Sequence, residues 1–160
     1  GADNLLEIVR LCPELTFEVV GRVDSQTENI VAELNKEENV RLKNDYVTDE
    51  EMREAFVGSK WVIVPYNSAS QSGIIIDAYK FSRPVIAFDV GAIVEQIDEG
   101  KSGFIVPSGD NQAFAKVLRQ AVSMDKQKYH DMCSSAYEFG SKKYAASGSA
   151  ERFIDLITKQ

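Results

Sequence analysis

Apolar residues along this chain fall into two alternating kinds of segment. Short β-branched runs, Thr16–Gly21 (TFEVVG), Val40–Lys43 (VRLK), Trp61–Pro65 (WVIVP), Pro84–Phe88 (PVIAF) and Gly103–Val106 (GFIV), are four to six residues long and bounded by Gly, Pro, Asn or Asp. Unbroken apolar runs of that length fit strands buried on both faces of a parallel sheet. Between them lie helix-length stretches with apolar residues spaced for one helical face: Leu5, Leu6, Ile8, Val9 and Leu11, then Ile30, Val31 and Leu34, then Met52, Ala55 and Phe56. The third opens on Thr48-x-x-Glu51, the pattern of a capping box. From Asp110 the pattern turns helical to the end. Asp110 is the expected N-cap of Asn111–Met124, followed by Lys126–Tyr144 and a last helix after Ser149, with Gly140 and Gly148 as the expected breaks. Five strands alternating with helices predict a doubly wound, Rossmann-like α/β fold with a parallel sheet. Trp61–Pro65 and Pro84–Phe88 are its expected central strands, and the C-terminal region is helical.

Composition narrows the class. A chain of 160 residues that is 44% hydrophobic and 27% charged fits one domain spanning residues 1–160, large enough to bury its own core. No repeat of 20–50 residues and no low-complexity linker divides it. The first element is a helix where a sheet domain ordinarily opens on a strand, so the chain is expected to be a piece of something longer; the alternative is a fold that begins with a helix. Cys12 and Cys133 lie far apart and have only His130 as an imidazole companion, so neither a metal site nor a disulfide framework is expected. With 18 basic against 25 acidic residues the net charge is −7, which argues against a nucleic-acid partner while leaving room for a small anion site. No stretch reaches the ~20 apolar residues of a membrane span, and the first residues lack the pattern of a signal peptide; a cytoplasmic location is expected.

Candidate chemistry gathers where open α/β sheets bind ligands, beyond the carboxyl ends of the strands. The run WVIVP leads into Tyr66-Asn67-Ser68-Ala69-Ser70-Gln71-Ser72-Gly73, and the nearly all-apolar IIIDAYKF follows at once. Ser70, Gln71, Ser72 and Gly73 read either as a phosphate cradle at a helix start or as a Ser-rich turn with a cap. Asp77, the lone acid among Ile74, Ile75, Ile76 and Ala78, reads as an acceptor for ribose hydroxyls or as an acid favoured by the helix dipole. Gly91, in Asp89-Val90-Gly91-Ala92, lies on a third crevice segment or is a plain turn residue. Arg22 is a phosphate cation or a solvated arginine. GxGxxG after a strand, GxxxxGK[ST], GxSxG and HExxH are all absent, which removes dinucleotide-binding, P-loop, serine-hydrolase and zincin readings. His130 lies in the polar helical region, away from the crevice, and no catalytic residue is assigned.

The stretch from Val40 to Asp110 closely resembles the C-terminal domain of retaining glycosyltransferases of family 4, which have the two-domain GT-B fold. The features that carry this are the helix with an acidic start before a strand ending in Pro65-Tyr66, the Ser70-Gln71-Ser72-Gly73 loop, Arg83-Pro84-Val85-Ile86, the Val90-Gly91 turn with Glu95, and Gly100-Lys101-Ser102-Gly103-Phe104 closing on Gly109-Asp110. The resemblance implies a domain that binds a nucleotide-diphosphate sugar for retaining transfer, with no metal or other cofactor. It also implies an N-terminal acceptor-binding domain in the same protein and allows peripheral membrane contact. Family members commonly carry Glu-x7-Glu; its second acid falls on Asp77 and its first on Ala69, while Gln71-Ser72-Gly73 matches a variant in which the region reads Gln-Ser-Gly. The family's opening strand, with a Gly-Arg turn and a Lys-Gly pair that hold the diphosphate, is expected to precede Gly1, and the isolated chain is expected to be inactive. Two other readings stay open: a non-catalytic nucleotide-binding or assembly module, and a sugar-nucleotide epimerase of the same architecture.

Overall fold

A computed structural model describes residues 1–22 and 27–145. Its elements run α1 (Ala2–Leu11), β1 (Phe17–Val20), α2 (Glu28–Leu34), β2 (Val40–Lys43), α3 (Asp49–Gly58), β3 (Val62–Val64), α4 (Gly73–Lys80), β4 (Val85–Phe88), a 3-10 helix over Gly91–Gln96, β5 (Gly103–Val106), α5 (Asn111–Val122) and α6 (Lys126–Tyr144). Each predicted strand is present, trimmed by at most a residue or two at its ends. The helix expected after Ser149 and the break at Gly148 lie outside the described residues.

All strand pairs are parallel, but the five strands form two sheets, β1-β2 and β3-β4-β5, and not the single sheet expected from the sequence. β4 is central, whereas β3, the other expected central strand, is an edge among the described strands. Between β1 and β3 lies an apolar cleft of about 590 Å³ lined by Leu5, Phe17, Val19, Trp61, Ile63 and Ile74. Phe17 N–H donates to Asn39 and Gly21 N–H to Lys43, so the alternate residues Glu18 and Val20 turn their peptide groups toward the cleft. Val62 N–H donates to Pro84, so Ile63 does the same from the opposite side. The strands therefore stop pairing although each still has a competent edge.

All four residues of β4, Val85 to Phe88, are shut off from water. That burial requires cover on both faces. α5 and α1 form one layer, with Phe114 meeting Phe88 edge-on at 5.0 Å. α4 and α6 form the other, where Tyr79 meets Phe139 at 5.9 Å. Gly140 does not break α6, which runs unbroken from Lys126 to Tyr144. A Cβ at residue 140 would lie 2.5 Å from Tyr79 Cβ, so the glycine is there to let α6 close on α4.

Helix starts collect at one edge of the sheets. α1 runs from the carboxyl end of β3, where Asn4 Nδ2 donates to the Pro65 carbonyl at 3.1 Å. It ends at the amino end of β1 and β2, where Asn39 Nδ2 donates to the carbonyls of Val9 and Cys12. α5 lies alongside in the same direction, tied at its start by Asn111 to Glu7 and near its end by Arg119 to Glu14. The starts of α1, α4 and α5 thus share the carboxyl edge.

The Thr48 capping box is formed as predicted: Thr48 Oγ1 accepts from Glu51 N–H at 3.3 Å and the Glu51 carboxylate accepts from Thr48 N–H at 2.9 Å. The ammonium of Lys43 beside it, with these hydrogen bonds, holds the Glu51 carboxyl at about 2 against an ordinary 4.5. Because the folded value is depressed, its contribution is complete above about 4.5 and is lost as pH falls toward about 2. Carboxyl-carbon NMR should show Glu51 titrating well below 4.5; a midpoint near 4.5 would contradict the pairing with Lys43 and the reciprocal cap. For Gly140, adding a side chain gains only a few tenths of a kcal/mol in helix propensity for Val, while overpacking against Tyr79 costs 1–3 kcal/mol. Gly140→Val should accordingly lower stability by about 2 kcal/mol in urea unfolding, and an unchanged midpoint would show that α6 can lift away freely.

Candidate functional site

α4 begins where the loop after β3 turns down into the apolar layer. Ile75, Ala78 and Tyr79 are buried, which anchors the helix and leaves its first residue, Gly73, exposed at the crevice. No side chain caps this start, since the Ser72 side chain makes no capping bond. The N–H groups of Gly73, Ile74 and Ile75 have no hydrogen-bond partner among the described residues. Uncapped donors at a helix start, with the positive end of the helix dipole behind them, form a site for an anion.

Ser72 differs from the expectation that it would offer its own N–H to a phosphate. That N–H donates to Gln96 Oε1 at 2.8 Å, and Gln96 Nε2 donates back to the Ser72 carbonyl at 3.1 Å. The Ser72 Oγ is buried without a hydrogen-bond partner. The donors available at this end of α4 are therefore Gly73, Ile74 and Ile75. Ser70 and Gln71 are exposed on the loop immediately before them.

Asp77 lies in the second turn of α4, one turn below Gly73 on the same face, and not in the first turn where the dipole acts most strongly. Its side chain is 43% exposed and its Oδ1 accepts from Lys80 Nζ at 2.8 Å. The carboxylate is thus reachable from the crevice, paired with an exposed lysine, a contact of little worth to stability.

Gly91 has φ +51°, and a Cβ there would lie 1.9 Å from the Ala69 carbonyl oxygen. It is therefore more than a turn residue: its missing side chain lets the loop after β4 close on the loop after β3. The crevice segments around Ala69–Gly73 and Gly91 are brought together. Arg22 is exposed just past the carboxyl end of β1, in the other sheet and across the apolar cleft from β3.

Two features of the site give no signal in the sequence. One is Gln96. The other is a chain of amides that ties the crevice rim together: Asn4 Nδ2 donates to Asn67 Oδ1 at 2.6 Å, Asn67 Nδ2 donates to Asp3 at 3.3 Å, and Asn111 Nδ2 donates to Asn4 Oδ1 at 3.4 Å and to Glu7 at 2.7 Å. These partners stand 63 to 107 positions apart, so only the folded chain reveals them.

The contrast between the two crevice glycines is testable. Gly91→Ala should lower stability by about 1 kcal/mol or more, since φ is positive and the site is filled by a carbonyl. Gly73→Ala should leave stability nearly unchanged, because an added Cβ meets nothing within 4 Å. Thermal unfolding of the two variants side by side would contradict the reading if their midpoints moved together.

Comparison with known proteins places this geometry in a family. The D-inositol 3-phosphate glycosyltransferase of Corynebacterium urealyticum is 28% identical over 107 residues, which is 67% of this chain and 25% of that protein. The structure of HepE from Anabaena in complex with UDP superposes on all of this chain and 45% of its own, with a TM-score of 0.85 at 18% identity. HepE is also known in complex with UDP-glucose. The C-terminal domain of LpcC, a glycosyl transferase group 1 family protein of Francisella tularensis, superposes on 91% of this chain and 80% of its own, with a TM-score of 0.78 at 18% identity. The chain thus spans a quarter of the inositol-phosphate enzyme's length and under half of HepE's, and shares the α/β architecture of GT-B glycosyltransferases. The model of the family described as glycosyl transferases group 1 matches residues 1–124, and the chain belongs to that family.

Proposed function

We propose that this chain is the donor-binding, C-terminal domain of a retaining glycosyltransferase of family 4, and that it holds a nucleoside-diphosphate sugar at the start of α4. The observation that carries the reading is the trio of unpartnered N–H groups at Gly73, Ile74 and Ile75, aimed from an uncapped helix start into the crevice of a glycosyl transferases group 1 chain. The complexes of HepE with UDP and UDP-glucose support it.

In this reading the diphosphate sits on the α4 start. As the bond between the anomeric carbon and the diphosphate breaks, negative charge grows on the leaving oxygen, and donors fixed in place beforehand meet it without reorganisation. The sugar passes to an acceptor hydroxyl held by an N-terminal domain of the whole protein, which closes over the crevice and excludes water. Asp77, one turn below Gly73, accepts from the ribose hydroxyls on giving up Lys80. Arg22 is a further cation for the diphosphate, reached when the two sheets are bridged. The bridging element is a further parallel strand of the whole protein seated between β1 and β3, where the peptide groups of Glu18, Val20 and Ile63 face an apolar cleft and lack partners among the described residues.

The test is calorimetry and a transfer assay on the whole protein with a panel of nucleotide sugars. The wild type should bind UDP or another nucleoside diphosphate, and should transfer the sugar of the corresponding nucleotide sugar with release of that diphosphate. Gly73→Val leaves the fold intact, because residue 73 faces open space. It should weaken diphosphate affinity by about tenfold or more, a loss of about 1.4 kcal/mol. Asp77→Asn should weaken ribonucleotides more than their 2′,3′-dideoxy counterparts. Binding without transfer or hydrolysis would favour a non-catalytic nucleotide-binding module, and unchanged affinity in Gly73→Val would remove the anion site from α4.

A further inference from the structure

Gln96, at the end of the 3-10 helix, is 4% exposed, and its side chain reaches both backbone groups of Ser72, the residue that precedes α4. Its Oε1 accepts from Ser72 N–H and its Nε2 donates to Ser72 C=O. Both peptide groups that flank Ser72 are fixed in this way. The chain has no cis peptide bond among the described residues, so in the unit joining Ser72 to Gly73 the carbonyl and the N–H point in opposite directions. A carbonyl drawn inward onto Gln96 therefore turns the Gly73 N–H outward, to the exposed face where a Cβ would meet open space. Donation to that carbonyl also polarises the peptide, which makes the outward N–H a stronger donor.

Gln96 is itself held. Its backbone carbonyl accepts from Tyr79 Oη at 2.9 Å, and the same hydroxyl lies 2.9 Å from Ser102 Oγ, which accepts from Asp98 N–H. Burial pushes the Tyr79 hydroxyl well above its ordinary value, so it stays protonated and keeps donating. Tyr79 belongs to the last turn of α4 and Ser72 precedes its first. Gln96 thus grips α4 at both ends, by its side chain at the start and by its backbone near the finish. The Ser72 Oγ, buried and unpartnered, shows that this contact is set by the backbone geometry and not by the serine's own hydrogen bonding.

We propose that Gln96 is a positioning residue for the donor diphosphate: it holds the Ser72 peptide groups inward so that the Gly73 N–H faces the phosphate. The proposal rests on the function proposed above, and it assigns Ser72 a different task from Gly73. Ser72 N–H is withdrawn from the ligand, and Gly73, Ile74 and Ile75 carry the binding.

The experiment uses the whole protein and UDP as the probe. In amide NMR of the wild type, UDP should shift the signals of Gly73, Ile74 and Ile75, while Ser72, already bonded to Gln96, should move least of the four. Gln96→Met, close in volume and unable to hydrogen-bond, should weaken UDP by about tenfold, equivalent to about 1.4 kcal/mol. The donor KM should rise with the acceptor KM unchanged. Gln96→Glu keeps the shape and the acceptor for Ser72 N–H but loses the donor to Ser72 C=O. It should weaken UDP at neutral pH and regain affinity relative to the wild type as the new carboxyl is protonated, since its O–H replaces the amide donor. A Ser72 signal that moves most, or Gln96→Met and Gln96→Glu proteins that bind UDP as the wild type does, would overturn the positioning role while leaving the donor site standing. A wild type that binds no nucleoside diphosphate would overturn both. If Gln96→Met fails to fold, the wild-type spectra and Gln96→Glu still decide the matter.

Discussion

A strand with no face open to water governs this molecule. Val85, Ile86, Ala87 and Phe88 are all fully buried, so their peptide groups must pair sideways with β3 and β5 and their side chains must be covered from both directions. Helical layers on each face follow, and loops whose polar backbone cannot be buried are driven to the two ends of the strands. At the carboxyl end the starts of α1, α4 and α5 are brought together. That explains how a chain with a net charge of −7 can offer the anion site proposed at α4: the positive potential there comes from aligned peptide dipoles, which composition does not record.

The crevice is braced by neutral amides more than by charges. Asn4, Asn67 and Gln96 each donate and accept, and Asn111 donates to Asn4 and Glu7, tying loops to helices with side chains that carry no charge of their own beside the proposed diphosphate. Exposed ion pairs such as Arg10 to Glu33 and Arg53 to Glu50 are screened by water, and their worth to stability is small.

Much of this arrangement is legible in the residues. The strands stand out because burial on both faces demands unbroken apolar runs, and α6 has the predicted limits because Asp125 caps it and accepts from Gln127 and Lys128. The misreadings share a cause, which is that partners distant in sequence leave no local pattern. Gly140 looks like a break until the ring of Tyr79 is seen to occupy the space where a side chain would stand. Trp61–Pro65 has the composition of a central strand, yet its second neighbour is not among the described strands. Gln96 is one polar residue in a mixed stretch, and its importance comes from Ser72, 24 positions away.

The contact between Gly91 and Ala69 bears on how such domains can be recombined. Because the residue 91 position has no room for even a methyl group beside the Ala69 carbonyl, the loop after β3 and the loop after β4 are matched halves of one surface. A chimera between two relatives with its crossover inside α4 would take the loop after β3 from one parent and the loop after β4 from the other, and any side chain brought to position 91 would meet the carbonyl of position 69. Crossovers placed before β3 or after the 3-10 helix keep the pair together, so relatives should be recombined by that whole block and not loop by loop.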